Sequence, residues 1–166
     1  MAPKRELTES LGNVLVVGAC GFLGYHMVAL VLDLSPKSKV FGIDLKTANR
    51  RIAKATYFDC DITDDATVRK IFSEVKPDVI IHTASAMIKD QAKKDLVWKV
   101  NVEGTNNLLK AAQENGVKAF VYTSSSSVTG GTENEYFNTD EKWPVIIGDD
   151  QPEYYTNTKV SLESFP

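Results

Sequence analysis

Asn13-Val14-Leu15-Val16-Val17-Gly18-Ala19-Cys20-Gly21-Phe22-Leu23-Gly24 decides how this chain is read. Val14–Val17 is a continuous apolar run, the pattern of a parallel strand covered on both faces. Three glycines follow as G-x-x-G-x-x-G, and residues 22–34 then carry a helical pattern that Ser35-Pro36 stops. A strand that turns through glycine into a helix lets backbone amides approach an anion such as a pyrophosphate at the helix N-terminus. Any strand–helix turn favours glycine, so the weight lies in what surrounds it.

Working outward, Lys39–Asp44 reads as a second strand and Thr56-Tyr57-Phe58 as a short third. Asp64 stands where an N-cap belongs, ahead of Val68, Ile71, Phe72 and Val75 at helical spacing, and Pro77 ends that helix. Asp78–His82 is a fourth strand. One long helix is expected over roughly 90–114, with Leu96, Val97, Val100, Leu108, Leu109 and Ala112 on its apolar side and Gly116 as its stop. Ala119–Thr123 is a fifth strand. From Ser126 to about Pro152 the sequence turns loop-like, and a further helix begins near Glu153. Strands alternating with helices indicate an α/β protein with a parallel sheet.

Asp44 ends the second strand, 20 residues after Gly24, the distance expected of a carboxylate that accepts hydrogen bonds from ribose hydroxyls. Such a carboxylate repels a 2′-phosphate by about 1–4 kcal/mol at ~4 Å, which favours NAD. Lys46, Arg50 and Arg51 follow closely and soften that preference, so NADP stays open. Asp61 either holds the adenine amino group or starts the turn before Asp64.

Composition fits one soluble domain: 166 residues, 43% hydrophobic, 25% charged, net charge −3. The division expected is a tail over residues 1–12 and a nucleotide-binding domain over 13–166. The charge balance argues against a nucleic-acid partner. The longest apolar stretch, Met27–Leu32, falls far short of the ~20 residues a membrane span needs. Residues 1–6 lack the apolar core of a secretory signal. Cys20 and Cys60 are too few for a zinc motif, so no metal is expected and both read as buried free thiols in a reducing, cytoplasmic compartment. His82, His26 and Trp98 read as structural, with Trp98 in the core and Trp143 in loop packing.

Tyr155 and Lys159 lie one helical turn apart and share a face. A phenol near pKa 10 is almost wholly protonated at neutral pH. A neighbouring ammonium favours the phenolate, which makes the tyrosine a usable acid/base for a carbonyl/alcohol pair. Tyr154 lacks the x-x-x-Lys spacing.

Together, Gly18-x-x-Gly21-x-x-Gly24, Asp44, Asp61-Ile62, His82-Thr83-Ala84-Ser85, Asn101-Val102-x-Gly104-Thr105, Tyr122-Thr123-Ser124-Ser125 and Tyr155-x-x-x-Lys159 resemble the extended short-chain dehydrogenase/reductase family. The His-Thr-Ala-Ser and Tyr-Thr-Ser-Ser-x-Ser-Val versions are most similar to its 3β-hydroxysteroid dehydrogenase branch, sterol-4-carboxylate 3-dehydrogenases included. The resemblance covers residues 13–163. It implies a Rossmann-type doubly wound parallel sheet, here with five strands in the order 3-2-1-4-5.

Carried over position by position, Tyr155 is the acid/base, and Lys159 lowers its pKa and binds the nicotinamide ribose. Ser125 hydrogen-bonds the substrate oxygen, with Ser124 or Ser126 as alternatives in a run of four serines. Asn101 supports the site or serves as a structural cap. Gly18, Gly21, Phe22, Leu23, Gly24, Asp44, Asp61, Ile62, Thr83, Ala84 and Ser85 line the cofactor, together with Tyr155 and Lys159.

Members of that family run on well past the Tyr-x-x-x-Lys helix into a substrate-binding lobe, whereas seven residues follow Lys159 here. The chain therefore reads as cut short, with the substrate lobe missing. Pairing with a second copy or with that missing part is expected, to cover exposed apolar faces. The leading function is an NAD(P)-dependent oxidoreductase that interconverts a secondary alcohol and a ketone on a steroid-like or other hydrophobic small molecule. The rivals are a nucleotide-sugar epimerase that retains NAD, and a non-catalytic NAD-binding module.

Overall fold

The computed structural model describes residues 7, 9–87, 93–129, 140, 142, 145 and 154–163. In chain order these form β1 (Asn13–Val17), α1 (Phe22–Leu34), β2 (Lys39–Asp44), β3 (Thr56–Asp59), α2 (Asp65–Val75), β4 (Val79–His82), α3 (Lys94–Trp98), a π-helical stretch (Lys99–Gly104), α4 (Thr105–Glu114), β5 (Ala119–Tyr122), a 3-10 turn (Ser126–Thr129) and α5 (Tyr154–Glu163). They group into two compact units. The first holds the described residues up to Ser85 with Gly104–Thr123, and the second holds those of Ala86–Glu103 and from Ser124 onward.

The first unit is built on a five-stranded parallel sheet in the order β3-β2-β1-β4-β5, the order expected from the sequence. Winding runs outward from β1 to β3, then crosses back to β4, so strand order reverses between β1 and β4. In open α/β sheets ligands bind at the carboxyl ends of the strands at such a reversal. In register, Val17 pairs with Ile43 on one side and His82 on the other, and His82 pairs with Tyr122. The next residues, Gly18 and Thr83, therefore leave the sheet at its carboxyl end, where Asp44 is the last residue of β2.

Alternation along β1 divides the core. Val14 and Val16 pack with Val28 and Val31 of α1 and Val40 of β2. Leu15, Ile43 and Ile80 face the other way and are fully buried, as are Phe72 of α2 and Leu108 of α4. Burying side chains of this size stabilises the unit by about 1.5–3 kcal/mol each. Asp64 caps α2 as expected: its carboxylate accepts from the Ala66 and Thr67 amides. Lys76, in the left-handed region at φ 47°, closes that helix just before Pro77. Gly116, at φ 66°, ends α4 as expected. The expected tail is tied down near its end, because Leu11 N–H donates to Ser38 Oγ at 2.8 Å.

Three expectations need correction. The single helix over 90–114 is instead α3, a six-residue π-helical stretch and α4, while residues 88–92 lie outside the described residues. A π-helical turn shifts the face its side chains present, and apolar spacing alone does not reveal it. Leu96 accordingly is 48% exposed rather than on the apolar side, and Trp98 is 36% exposed rather than in the core. Residues 126–129, expected as loop, form the 3-10 turn. Most of the following loop, Trp143 included, lies outside the described residues.

In the second unit α5 packs against α3 and against the 3-10 turn. Val160 and Leu162 of α5 and Val97 of α3 are buried, and so are the polar Asn101, Thr156, Thr158 and Lys159. So many buried polar side chains in so small a unit require partners, and those partners define its chemistry.

Candidate functional site

The glycine loop of the first unit is shaped by contacts that only glycine permits. Gly18 sits at φ 78°, and a Cβ there would lie 2.7 Å from the Ala84 backbone nitrogen. A Cβ on Gly24 would collide with the Gly18 carbonyl. The loop is held by Gly18 and Ala19 N–H donating to the Ile43 carbonyl at 2.8 and 3.1 Å, and by Gly21 N–H donating to the Gly18 carbonyl at 3.0 Å. Helix α1 starts from Gly21 with no side-chain cap and no acid in its first turn. Its leading amides thus face an end suited to an anion. Phe22 and Leu23, expected beside the cofactor, are 75% and 41% exposed.

Asp44 stands at the carboxyl end of β2 beside that loop. Its Oδ2 accepts from Cys20 N–H at 2.9 Å and its Oδ1 from Leu45 N–H at 2.8 Å. Each oxygen keeps acceptor capacity for a further donor such as a ribose hydroxyl. Of the basic residues expected to soften the choice of nucleotide, Arg51 donates to the Thr47 carbonyl at 2.7 Å and also bonds the Thr47 hydroxyl. Thr47 in turn donates through N–H and O–H to Asp59, which holds that carboxyl below the usual range. The Arg50 guanidinium lies 4.9 Å over the Tyr25 ring. Burial, then the neighbouring Asp44 charge, pushes the Cys20 thiol up, and burial pushes Cys60 to about 12. Both thiols stay protonated and inert at neutral pH. Cys20 is only partly buried, not buried as expected.

Across the strand reversal, Thr83 Oγ1 donates to the Val17 carbonyl at 2.8 Å, and Ala84 packs its backbone against Gly18. Ser85 is exposed. Asp61 is also exposed, and its Oδ1 accepts from Thr63 N–H at 2.9 Å, so it closes the turn before α2. Ile62 is buried against Gly104, and its carbonyl accepts from Asn107 Nδ2 at 3.0 Å. His82 Nε2 shares a 2.9 Å hydrogen bond with Thr105 Oγ1, and its ring packs on Phe120 and Tyr122, so it is a core histidine. His26 is exposed and stacks edge-on with Phe22 and Tyr25.

The second unit holds the four residues expected to carry the chemistry. Asn101, within the π-helical stretch, clasps one backbone unit from both sides: Oδ1 accepts from Ala86 N–H at 2.7 Å and Nδ2 donates to the Ala86 carbonyl at 3.0 Å. The same Nδ2 donates to Thr158 Oγ1 at 3.0 Å, and Thr158 donates to the Tyr155 carbonyl at 2.6 Å. Asn101 is thus joined to the helix that bears Tyr155. The Lys159 Nζ lies 5.8 Å from the Tyr155 ring centroid, and burial lowers its pKa from 10.5 to about 8. Tyr154 faces elsewhere, toward Trp98 at 6.4 Å with the Lys94 ammonium 5.3 Å from its ring. That separates the two adjacent tyrosines.

Ser125 Oγ lies 2.7 Å from Ser127 Oγ and accepts from Ser127 N–H at 3.2 Å. Thr156 of α5 donates to Ser127 Oγ at 2.9 Å. The sequence reading missed Ser127, Thr156 and Thr158. A usable signal was present: hydroxyl residues at two of the three positions between Tyr155 and Lys159, on a short helix with little room for buried polar groups.

The sequence profile of the 3-beta hydroxysteroid dehydrogenase/isomerase family matches residues 15–165. A sterol-4-alpha-carboxylate 3-dehydrogenase, decarboxylating, from Candida albicans is 34% identical over 95% of this chain and 46% of that protein. A 3 beta-hydroxysteroid dehydrogenase/Delta 5→4-isomerase from Mycobacterium tuberculosis is 36% identical over 96% of this chain and 43% of that protein. Among solved structures, UDP-glucose 4-epimerase from Thermus thermophilus in complex with NAD superposes with a TM-score of 0.78 at 27% identity, over 90% of this chain and 48% of that one. The chain spans less than half the length of these relatives. With its sheet order, glycine loop and Tyr155–Lys159 helix, the chain belongs to the 3-beta hydroxysteroid dehydrogenase/isomerase family.

Proposed function

We propose that this chain is the nucleotide-binding and acid/base portion of an NAD(P)-dependent oxidoreductase that interconverts a 3β-hydroxyl and a ketone on a steroid-like substrate. The observation that carries the reading is the buried Lys159 held against the Tyr155 ring on a helix that Asn101 fastens through Thr158. With its pKa near 8, Lys159 is roughly nine-tenths protonated at neutral pH. Its ammonium stabilises negative charge on the phenol oxygen, so Tyr155 takes the alcohol proton during oxidation and returns it during reduction. Ser125 donates to the substrate oxygen as charge develops there. Asn101 fixes the Ala86 backbone and α5 together, which holds the acid/base in place.

The residues of the first unit fit a dinucleotide: a glycine cradle that a Cβ would fill, uncapped helix amides for its pyrophosphate, and Asp44 for a ribose. Gly18, Gly21, Phe22, Leu23 and Gly24 would hold the pyrophosphate, with Thr83, Ala84 and Ser85 nearby. Asp61 and Ile62 would border the adenine. When bound, NAD supplies the hydride chemistry. NAD is favoured over NADP because Asp44 opposes a 2′-phosphate and Arg51 is already engaged with Thr47. A covering partner for this portion, whether the rest of a longer chain or a second copy, belongs to the same reading, as does a cytoplasmic location.

An epimerase that reduces and reoxidises retained NAD within one turnover is the second reading, favoured by the structural likeness to a UDP-glucose 4-epimerase. Net NADH production separates the two. Incubation with NAD and a 3β-hydroxysteroid is expected to accumulate NADH in proportion to substrate, with the rate abolished in Tyr155→Phe. Turnover of a UDP-hexose without net NADH would replace the dehydrogenase reading. Nucleotide binding with no turnover of either would make the chain a binding module.

A further inference from the structure

The hydroxyls around Ser125 form a directed chain. A hydroxyl carries one proton and can accept two. Thr156 Oγ1, on a residue 1% exposed, donates to Ser127 Oγ, and this occupies one of the two acceptor sites there. Ser127 Oγ and Ser125 Oγ then share one proton across 2.7 Å. Ser125 Oγ also accepts from the Ser127 backbone N–H, which the 3-10 turn aims at it. If Ser127 gives its proton to Ser125, both acceptor sites of Ser125 are filled and its own proton is left to donate outward. That is the state that a ketone or a nascent alkoxide requires, since neither has a proton to offer.

We propose that Ser127 and Thr156 are positioning residues whose hydroxyls aim the Ser125 proton at the substrate oxygen. This rests on the reading of Ser125 as the group that touches substrate. Thr156 keeps the chain directed: while it donates to Ser127 Oγ the Ser127 proton points away from it, toward Ser125, and with that hydroxyl gone Ser127 Oγ loses its side-chain donor and takes the Ser125 proton across 2.7 Å in its place. Ser125 then turns its proton inward and competes with the substrate for it. Thr156 also explains why a polar residue stands buried on α5 immediately after the acid/base, where packing alone favours an apolar β-branched side chain.

The test compares wild type with Thr156→Val, which keeps the shape, and Thr156→Ser, which keeps the hydroxyl. Turnover of a 3β-hydroxysteroid with NAD is measured together with the carbon-13 spectra of Ser125 and Ser127 in mixed light and heavy water. A hydroxyl locked as a donor exchanges slowly and splits its Cβ line in two. Expected is a split line for Ser127 and a single line for Ser125 in wild type, inverted in Thr156→Val and restored in Thr156→Ser. The rate constant kcat falls about tenfold in Thr156→Val with KM little changed, and no further loss occurs when Thr156→Val is added to Ser125→Ala. Ser127→Ala, a substitution outside α5 that removes the hydroxyl donor to Ser125, lowers kcat as well. A split Ser125 line in wild type, or a full rate in both Thr156→Val and Ser127→Ala, overturns the proposal. The expected lines in a protein that turns over no hydroxysteroid support the hydroxyl chain and overturn the dehydrogenase reading instead.

Discussion

Replacing Lys159 with methionine should make the protein more stable and flatten its response to alkali. Lys159 is 2% exposed, and burial lowers its pKa from 10.5 to about 8. An unfolded chain keeps that proton until about pH 10.4. Between about pH 8 and 10.4 the unfolded state therefore binds more protons than the folded one, and stability rises with pH across that window. Below about pH 8 both states carry the charge and the folded protein bears the full desolvation cost. At about 1.4 kcal/mol per pH unit the cost is about 3 kcal/mol. Lys159→Met keeps the length and the apolar stem, so it should recover up to about that amount at neutral pH and should lack the alkaline rise. Urea unfolding of both proteins, followed by tryptophan fluorescence in steps from about pH 7 to 10, measures the difference. Parallel curves, or a wild type that loses stability relative to Lys159→Met as pH rises, would show that burial does not depress the Lys159 pKa. The expected result makes Lys159 a residue kept for chemistry at a cost in stability.

Three other perturbations test separate parts of the structure. Gly18→Ala places a Cβ against the Ala84 backbone at φ 78°; it should lower stability by about 1–2 kcal/mol or more and abolish NADH binding in a fluorescence titration. Asn101→Leu leaves the Ala86 N–H and carbonyl without their shared partner; it should lower stability by about 1–3 kcal/mol in urea and remove turnover while the first unit still binds NADH. Thr105→Val takes away the hydroxyl bonded to His82 Nε2; a melting temperature lowered by several degrees with unaltered NADH affinity would mark His82 as structural, whereas lost affinity at full stability would contradict that.

The first unit was legible in the sequence because its information is local. Val14–Val17 followed by Gly18-x-x-Gly21-x-x-Gly24 is a strand, a turn and a helix start in eleven residues, and Asp64 and Gly116 are caps that announce themselves. The sheet order came from the resemblance those motifs carry and not from any one local signal. The second unit resisted for a physical reason. Lys99–Gly104 leaves the α-helical period, so Leu96 and Trp98 fall on faces that a 3.6-residue period does not predict. The bond by which Thr156 reaches Ser127, and through it Ser125, joins segments some thirty residues apart, which no spacing rule encodes. Lys159 and Tyr155 were visible as a spacing. Their fastening to Asn101 through Thr158 was not.

Everything proposed for this chain depends on a dinucleotide binding at the carboxyl end of the sheet, against the glycine loop and Asp44. Titration of the full chain with NADH and with NADPH, alongside Asp44→Ala, tests it most directly. Expected are saturable NADH binding, weaker NADPH binding, and a loss of about tenfold or more in NADH affinity in Asp44→Ala, since hydrogen bonds to a charged carboxylate contribute about 1.5–3 kcal/mol. A folded protein that binds neither nucleotide, or that binds NADH equally well without the Asp44 carboxylate, would contradict it.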